Sequence, residues 1–277
     1  MVAEPRSTAG RDAPAHSRAD ARHERPAEAG RHVHWDVHGP ADAPPIVFVH
    51  GAMMGRSVWS PQVAALADRF RCVTVDLPGH GSQRGAAFSL ESAAAGVASA
   101  IDEAGNGRAV VVGLSLGGYV SMTLAARYPQ KVRGLVIAGS TREPIGVSRV
   151  AFQVYGWFLR LVPEPVVRAV ALAWFRRRYG PTVGTAITAG GHFARGGSQA
   201  VRHLSGGFRD KLMAYGGPIL VINGTTDLVF RIGATRFLAG VPSANARLIP
   251  RAGHLSNVDK PEAFTALVED FIATLPD

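Results

Sequence analysis

The chain has a single cysteine among its 277 residues, so no disulfide can close within it. That residue, Cys72, lies in the apolar run 70–75 and reads as a buried, inert thiol. No apolar stretch approaches the roughly 18 residues that a membrane-spanning helix requires. The N-terminus carries no hydrophobic signal core, which makes cytoplasmic the default compartment. Residues 1–30 are almost devoid of large apolar side chains. Such a composition cannot offset the entropy of ordering, and a disordered tail is expected there. A transit peptide is excluded by the five acids scattered through the first 34 residues. Nothing in the residue pattern calls for a metal or a cofactor, and none is expected.

Acids are in deficit as well: 21 against 30 lysines and arginines, a formal charge of +9. The surplus is local. Residues 141–217 hold ten arginines and Lys211 against Glu143, Glu164 and Asp210, which is 11 − 3 = +8. The first 34 residues, by contrast, balance six arginines against five acids.

Elsewhere the chain alternates short apolar runs with helical patterns. Strands are expected at 33–37, 46–49, 70–76, 109–112, 132–138, 219–223 and 247–249. Helices are expected at 59–70, 90–104, 119–128, 232–238 and from Pro261 to near Leu275. That alternation implies a mostly parallel, doubly wound sheet covered on both faces. Between 140 and 219 it breaks for roughly 75 residues, too long for a structureless loop. Val147, Val150, Ala151, Val154, Tyr155, Phe158 and Leu161 recur at helical spacing, Pro163 and Pro165 open a second helix at 166–179, and 196–214 is weakly helical.

The densest signal is G-L-S-L-G-G at 113–118, between the strand 109–112 and a helix stopped by Pro129. A serine at the apex of a strand–turn–helix, with glycines two before and two after, is a nucleophile elbow: side chains at 113 or 117 would collide with neighbouring chain. A serine hydroxyl attacks only when a base takes its proton, and histidine is suited to that by its near-neutral titration. His254, in the loop between the last strand and the last helix, stands at the same sheet edge as Ser115 and is the candidate base. Asp227, in the turn after the strand 219–223, is the candidate acid that orients it; an Asx-turn aspartate is the competing role, and Glu143 is the fallback acid. Charge on a tetrahedral oxygen would be met by the backbone N–H groups of Leu116, at a helix N-terminus, and Ala52. His50 is read as a brace for its loop, and Asp76 and His80 as backbone-bonding residues of a tight turn.

Together H-G-A-M-M-G at 50–55, D-L-P-G-H-G at 76–81, G-L-S-L-G-G at 113–118, N-G-T-T-D at 223–227 and A-G-H at 252–254 resemble the α/β-hydrolase superfamily, in its serine-nucleophile branch with a helical cap. The resemblance covers 31–140 and 218–277. It implies a triad of Ser115, Asp227 and His254, an oxyanion hole at Ala52 and Leu116, and a helical cap at 141–217 inserted after the sixth strand. It departs from the family at Phe230, where a proline is common. A small-molecule acyl substrate is implied, cleaved as a carboxylic ester or lactone through an acyl-enzyme at Ser115. Carbon–carbon or thioester hydrolysis on the same triad, and a ligand-binding receptor with a near-silent triad, stay open.

The cap combines aromatics with arginines. The favoured expectation has the aromatics packing the cap onto the sheet, with Met53, Trp157, Trp174 and Phe193 lining the substrate pocket, and the arginines forming a solvated face. An anionic substrate and membrane-surface contact are the less favoured alternatives. Nucleic acid is excluded as a partner, since no recognition motif accompanies the charge.

Overall fold

A computed structural model describes residues 33–276, so the expected tail at 1–30 lies outside the described residues. Seven strands form one sheet in the order β1-β3-β2-β4-β5-β6-β7. They are β1 (His34–His38), β2 (Pro45–Val49), β3 (Arg71–Asp76), β4 (Ala109–Leu114), β5 (Val132–Ala138), β6 (Ile219–Gly224) and β7 (Ala244–Ile249). Among the described residues only β1 runs antiparallel; all other pairs are parallel. The parallel strands end at one edge of the sheet, where open α/β sheets bind ligands.

Burial on both faces explains the composition of the strands. Every residue of β4 is buried, as are Ile46, Val47, Phe48 and Val49 of β2. On one face they meet α2 (Leu90–Ala104), α3 (Leu116–Arg127) and α8 (Phe208–Tyr215); on the other they meet α1 (Ser60–Leu66) and α12 (Pro261–Ala273). Helix α2 starts where it does because Ser89 and Ser92 satisfy each other's backbone N–H groups in a reciprocal cap. Cys72 is fully buried among these residues, and burial pushes its thiol up to about 12. Buried Gln62 donates to the Asn257 carbonyl at 2.8 Å, joining α1 to α11 (Ser256–Asp259) across 195 residues of sequence.

Between β5 and β6, which pair side by side, the chain makes α4 (Gly146–Leu161), α5 (Glu164–Tyr179), α6 (Pro181–Thr188), α7 (Ala194–Arg202) and α8. Five strands, not six, precede this insert among the described residues. Helix α8 packs against α3 and joins the core, so the insert returns to the body of the fold before β6 begins. Helix α6 has no counterpart among the expected elements: Gly180 and Pro181 start it, and its eight residues include only Gly184 and Ile187 as buried positions. The short helices α9 (Leu228–Arg231) and α10 (Ala234–Leu238) follow β6.

Helix α3 starts at Leu116, three residues before the expected start, because the turn is compressed to Ser115 alone. A Cβ on Gly117 would stand 2.1 Å from the Val49 carbonyl oxygen, and one on Gly113 would stand 2.5 Å from that of Gly117. Gly117→Ala is therefore expected to cost on the order of 3 kcal/mol or more in urea unfolding. Gly85→Ala, which meets nothing within 4 Å, should stay within about 0.5 kcal/mol of the parent.

Candidate active site

Ser115 follows β4 directly and adopts φ 53° and ψ −116°, a conformation that L side chains rarely occupy. Three contacts hold it there. Its N–H donates to the Ala138 carbonyl at 2.8 Å, and its own carbonyl accepts from Gly118 N–H and from Ser140 Oγ, each at 2.9 Å. The loop after β2 passes alongside, so close that a Cβ on Gly51 would lie 3.4 Å from Ser115 Cβ. The N–H groups of Ala52 and Leu116 donate to no acceptor among the described residues.

Two buried histidines fix that loop. His50 Nδ1–H donates to the Gly51 carbonyl at 2.8 Å while its Nε2 accepts from Leu77 N–H at 3.0 Å. His80 Nδ1–H donates to the Pro78 carbonyl at 2.9 Å, and its Nε2 accepts from Met53 N–H at 3.2 Å. Met53 itself sits at φ 65°. Asp76 accepts from the N–H groups of Arg56 and Ser82 at 2.8 and 3.0 Å and forms an ion pair with the Arg56 guanidinium. Burial opposes ionisation of Asp76, but the nearby charges and these donors outweigh it and hold the carboxyl below its ordinary range.

Asp227 and His254 form a second unit at the ends of β6 and β7, with the carboxylate buried and the imidazole partly open. His254 Nδ1–H donates to Asp227 Oδ2 at 2.8 Å, which leaves Nε2 as the acceptor. Asp227 Oδ1 accepts from Phe230 N–H at 3.3 Å, and the Phe230 ring stacks on the imidazole with centroids 4.9 Å apart. A proline at 230 would offer neither that N–H nor that ring. The imidazole lies over Gly139, where a Cβ would meet it at 2.9 Å. Gly139 stands between Ala138 and Ser140, the two residues bonded to Ser115, so the pair and the serine share one floor. No hydrogen bond links Ser115 Oγ to His254 Nε2 in this arrangement; such bonds commonly tighten only when substrate is present.

The profile of the family described as "Alpha/beta hydrolase family" matches residues 46–267. The chain belongs to that family. It is 30% identical over 261 residues to the pimeloyl-[acyl-carrier protein] methyl ester esterase of Nitrosomonas europaea, covering 84% of this chain and 97% of that one. It is 26% identical to 3-oxoadipate enol-lactonase 1 of Acinetobacter baylyi, covering 89% and 95% of the two chains. Among solved structures, the enol-lactonase from Burkholderia xenovorans LB400 superposes with a TM-score of 0.73 at 25% identity, over 87% of this chain and 96% of that one.

In this α/β-hydrolase the four residues expected to line the pocket divide. Met53 and Phe193 come together: Phe193 N–H donates to the Met53 carbonyl at 2.9 Å, and the Phe193 ring stands 6.1 Å from His80. Trp157 and Trp174 do not join them. Trp157 is half exposed, between the guanidinium groups of Arg160 and Arg202, on the side of α4 away from Tyr155. Trp174 is half exposed against Phe175 and Tyr179. Aromatic content marked both for the pocket, yet each falls on an outward face of its helix. Glu143 is turned away from the imidazole and accepts from Arg209 N–H at 2.6 Å.

Three contributors escaped the sequence reading. Ser140 could have been found, since it lies two residues past the strand expected at 132–138 beside the elbow. Tyr155, whose hydroxyl reaches Met53 Sδ at 3.3 Å, was visible only as part of a helical stripe. Arg56, which ties Asp76 to Asp36, follows no pattern that spacing reveals.

Burial pushes His80 down to about 3 and also lowers His50. The unfolded chain takes a proton on each ring near its ordinary value of 6.5, while the folded chain does not. Stability is thus fully present above about pH 6.5 and falls as pH drops from there towards 3. His80→Asn should make the fall between pH 6 and 4 shallower by about 1.4 kcal/mol per pH unit, read from urea midpoints.

Proposed function

We propose that the chain is a serine hydrolase of carboxylic esters or lactones that works through an acyl-enzyme on Ser115. The observation that carries this reading is the Asp227–His254 hydrogen bond at 2.8 Å beside a serine held at positive φ. Ser115 Oγ attacks the substrate carbonyl as His254 Nε2 takes its proton. Asp227 holds the imidazole in the tautomer that can accept and stabilises the imidazolium that forms. Negative charge that develops on the carbonyl oxygen is met by the N–H groups of Ala52 and Leu116, which the fold leaves unbonded and fixed in place. His254 then returns the proton to the leaving alcohol, and a water activated by the same imidazole frees the acid.

Supporting the choice of bond, the relatives named above act on a methyl ester and on an enol-lactone. The insert contributes Phe193, and through Tyr155 it reaches Met53, two contacts with the loop after β2 that support reading it as a cap.

A chain-length series of p-nitrophenyl esters and lactones tests the reading. Ser115→Ala should lower kcat about 10⁶-fold and Asp227→Asn about 10⁴-fold. A fluorophosphonate probe should label the parent and not Ser115→Ala. Ester turnover undiminished in Ser115→Ala, or stoichiometric labelling with no turnover of any ester or lactone, would overturn it.

A further inference from the structure

Helix α4 carries its apolar stripe on the wrong side for a core. Val147, Val150, Val154, Phe158 and Leu161 recur at three- and four-residue spacing, yet Val147 is 86% exposed, Leu161 77% and Phe158 61%. What α4 buries instead is the opposite side, Gly156 and Leu159, against α7. Helix α5 repeats the arrangement: Phe175 is buried, while Val166, Val170 and Trp174 face outward. Isolated exposed apolar residues need no explanation, but two consecutive helices that each present an unpartnered apolar face do.

Cationic groups border these faces. Arg160, Arg168, Arg176 and Arg177 are exposed on the same two helices and have no acidic partner among the described residues. Beside Trp157, a cavity of about 830 Å³ between α4 and α7 is lined by Arg160, Arg195, Arg202, Gln153, Gln199 and His203, with no carboxylate in its wall. Arg202 Nε is buried there without a hydrogen-bond partner. Three guanidinium groups around a polar cavity suit a phosphate, and the apolar stripe beside them suits acyl chains.

We propose that the outer faces of α4 and α5 dock on an anionic phospholipid surface, with the stripe in the acyl boundary and a headgroup phosphate in the arginine cavity. The charge decides the occupant. A symmetric contact between two copies would bring together two segments of net charge +8, whereas anionic headgroups neutralise that charge.

Co-sedimentation with phosphatidylglycerol and with phosphatidylcholine vesicles tests the proposal and reads no catalysis, so it stands apart from the serine chemistry. At low salt the parent should bind the anionic vesicles at least tenfold more tightly than the zwitterionic ones. Phe158→Ser with Leu161→Ser leaves the charge unchanged, and should weaken binding to anionic vesicles at least tenfold. Arg160→Glu with Arg176→Glu should weaken it more than the charge-matched Arg236→Glu with Arg247→Glu, placed away from the insert. Circular dichroism and urea midpoints should show all variants folded, since every substituted side chain is exposed. Absence of vesicle binding, equal loss from the two charge-reversed pairs, or binding indifferent to Phe158→Ser with Leu161→Ser would overturn it. So would a parent dimer in sedimentation velocity that the serine pair dissolves while vesicles are ignored, or binding to a small acidic protein in place of vesicles.

Discussion

The sheet edge that carries Ser115 depends on one close approach, the Val49 carbonyl against Gly117. Because no side chain fits between them, the end of β2 and the start of α3 meet directly, and the serine between β4 and α3 is driven into a left-handed backbone. Everything else at the edge is placed by that contact. The loop after β2 is brought within van der Waals reach of Ser115, and the end of β5 is tied to both sides of its peptide. The strain is local and the restraint is distributed over three strands, which is how a fold can keep one residue out of its preferred conformation.

Polar burial is arranged to support the same edge. His50 and His80 use both ring nitrogens, each donating to a carbonyl and accepting from a backbone N–H, so neither has reason to charge. Asp76 stays ionised because Arg56 and two N–H groups surround it. Neutral imidazoles and a paired carboxylate thus brace loops that would otherwise carry unsatisfied backbone groups into the interior. None of these three groups needs to touch substrate.

Strands β2 and β4 were legible because residues buried on both faces leave unbroken apolar runs, and the elbow was legible because its glycines answer to sterics. Asp227 and His254 could be placed at one edge because parallel strands all end on the same side. Helix α4 marks where that reasoning stops. Its periodicity shows that a face exists and says nothing of what lies against it, and the two tryptophans expected in the pocket, Trp157 on α4 and Trp174 on α5, are half exposed. Helix α6 stayed unseen because its burial rests on a glycine and one isoleucine. Phe230 shows the opposite case: a departure from the family pattern supplies a hydrogen bond and a stacking wall to the candidate acid and base.

The side-by-side pairing of β5 and β6 sets a demand on biosynthesis. Some eighty residues separate the two strands, so on the ribosome the rim of β5 stays bare until the whole insert has emerged. At usual translation speeds that is on the order of ten seconds. During that interval the nascent sheet offers a parallel, strongly aliphatic template to any passing strand. A trigger-factor-type holdase that shields β5 until β6 arrives would serve this chain more than one whose neighbouring strands are made in quick succession.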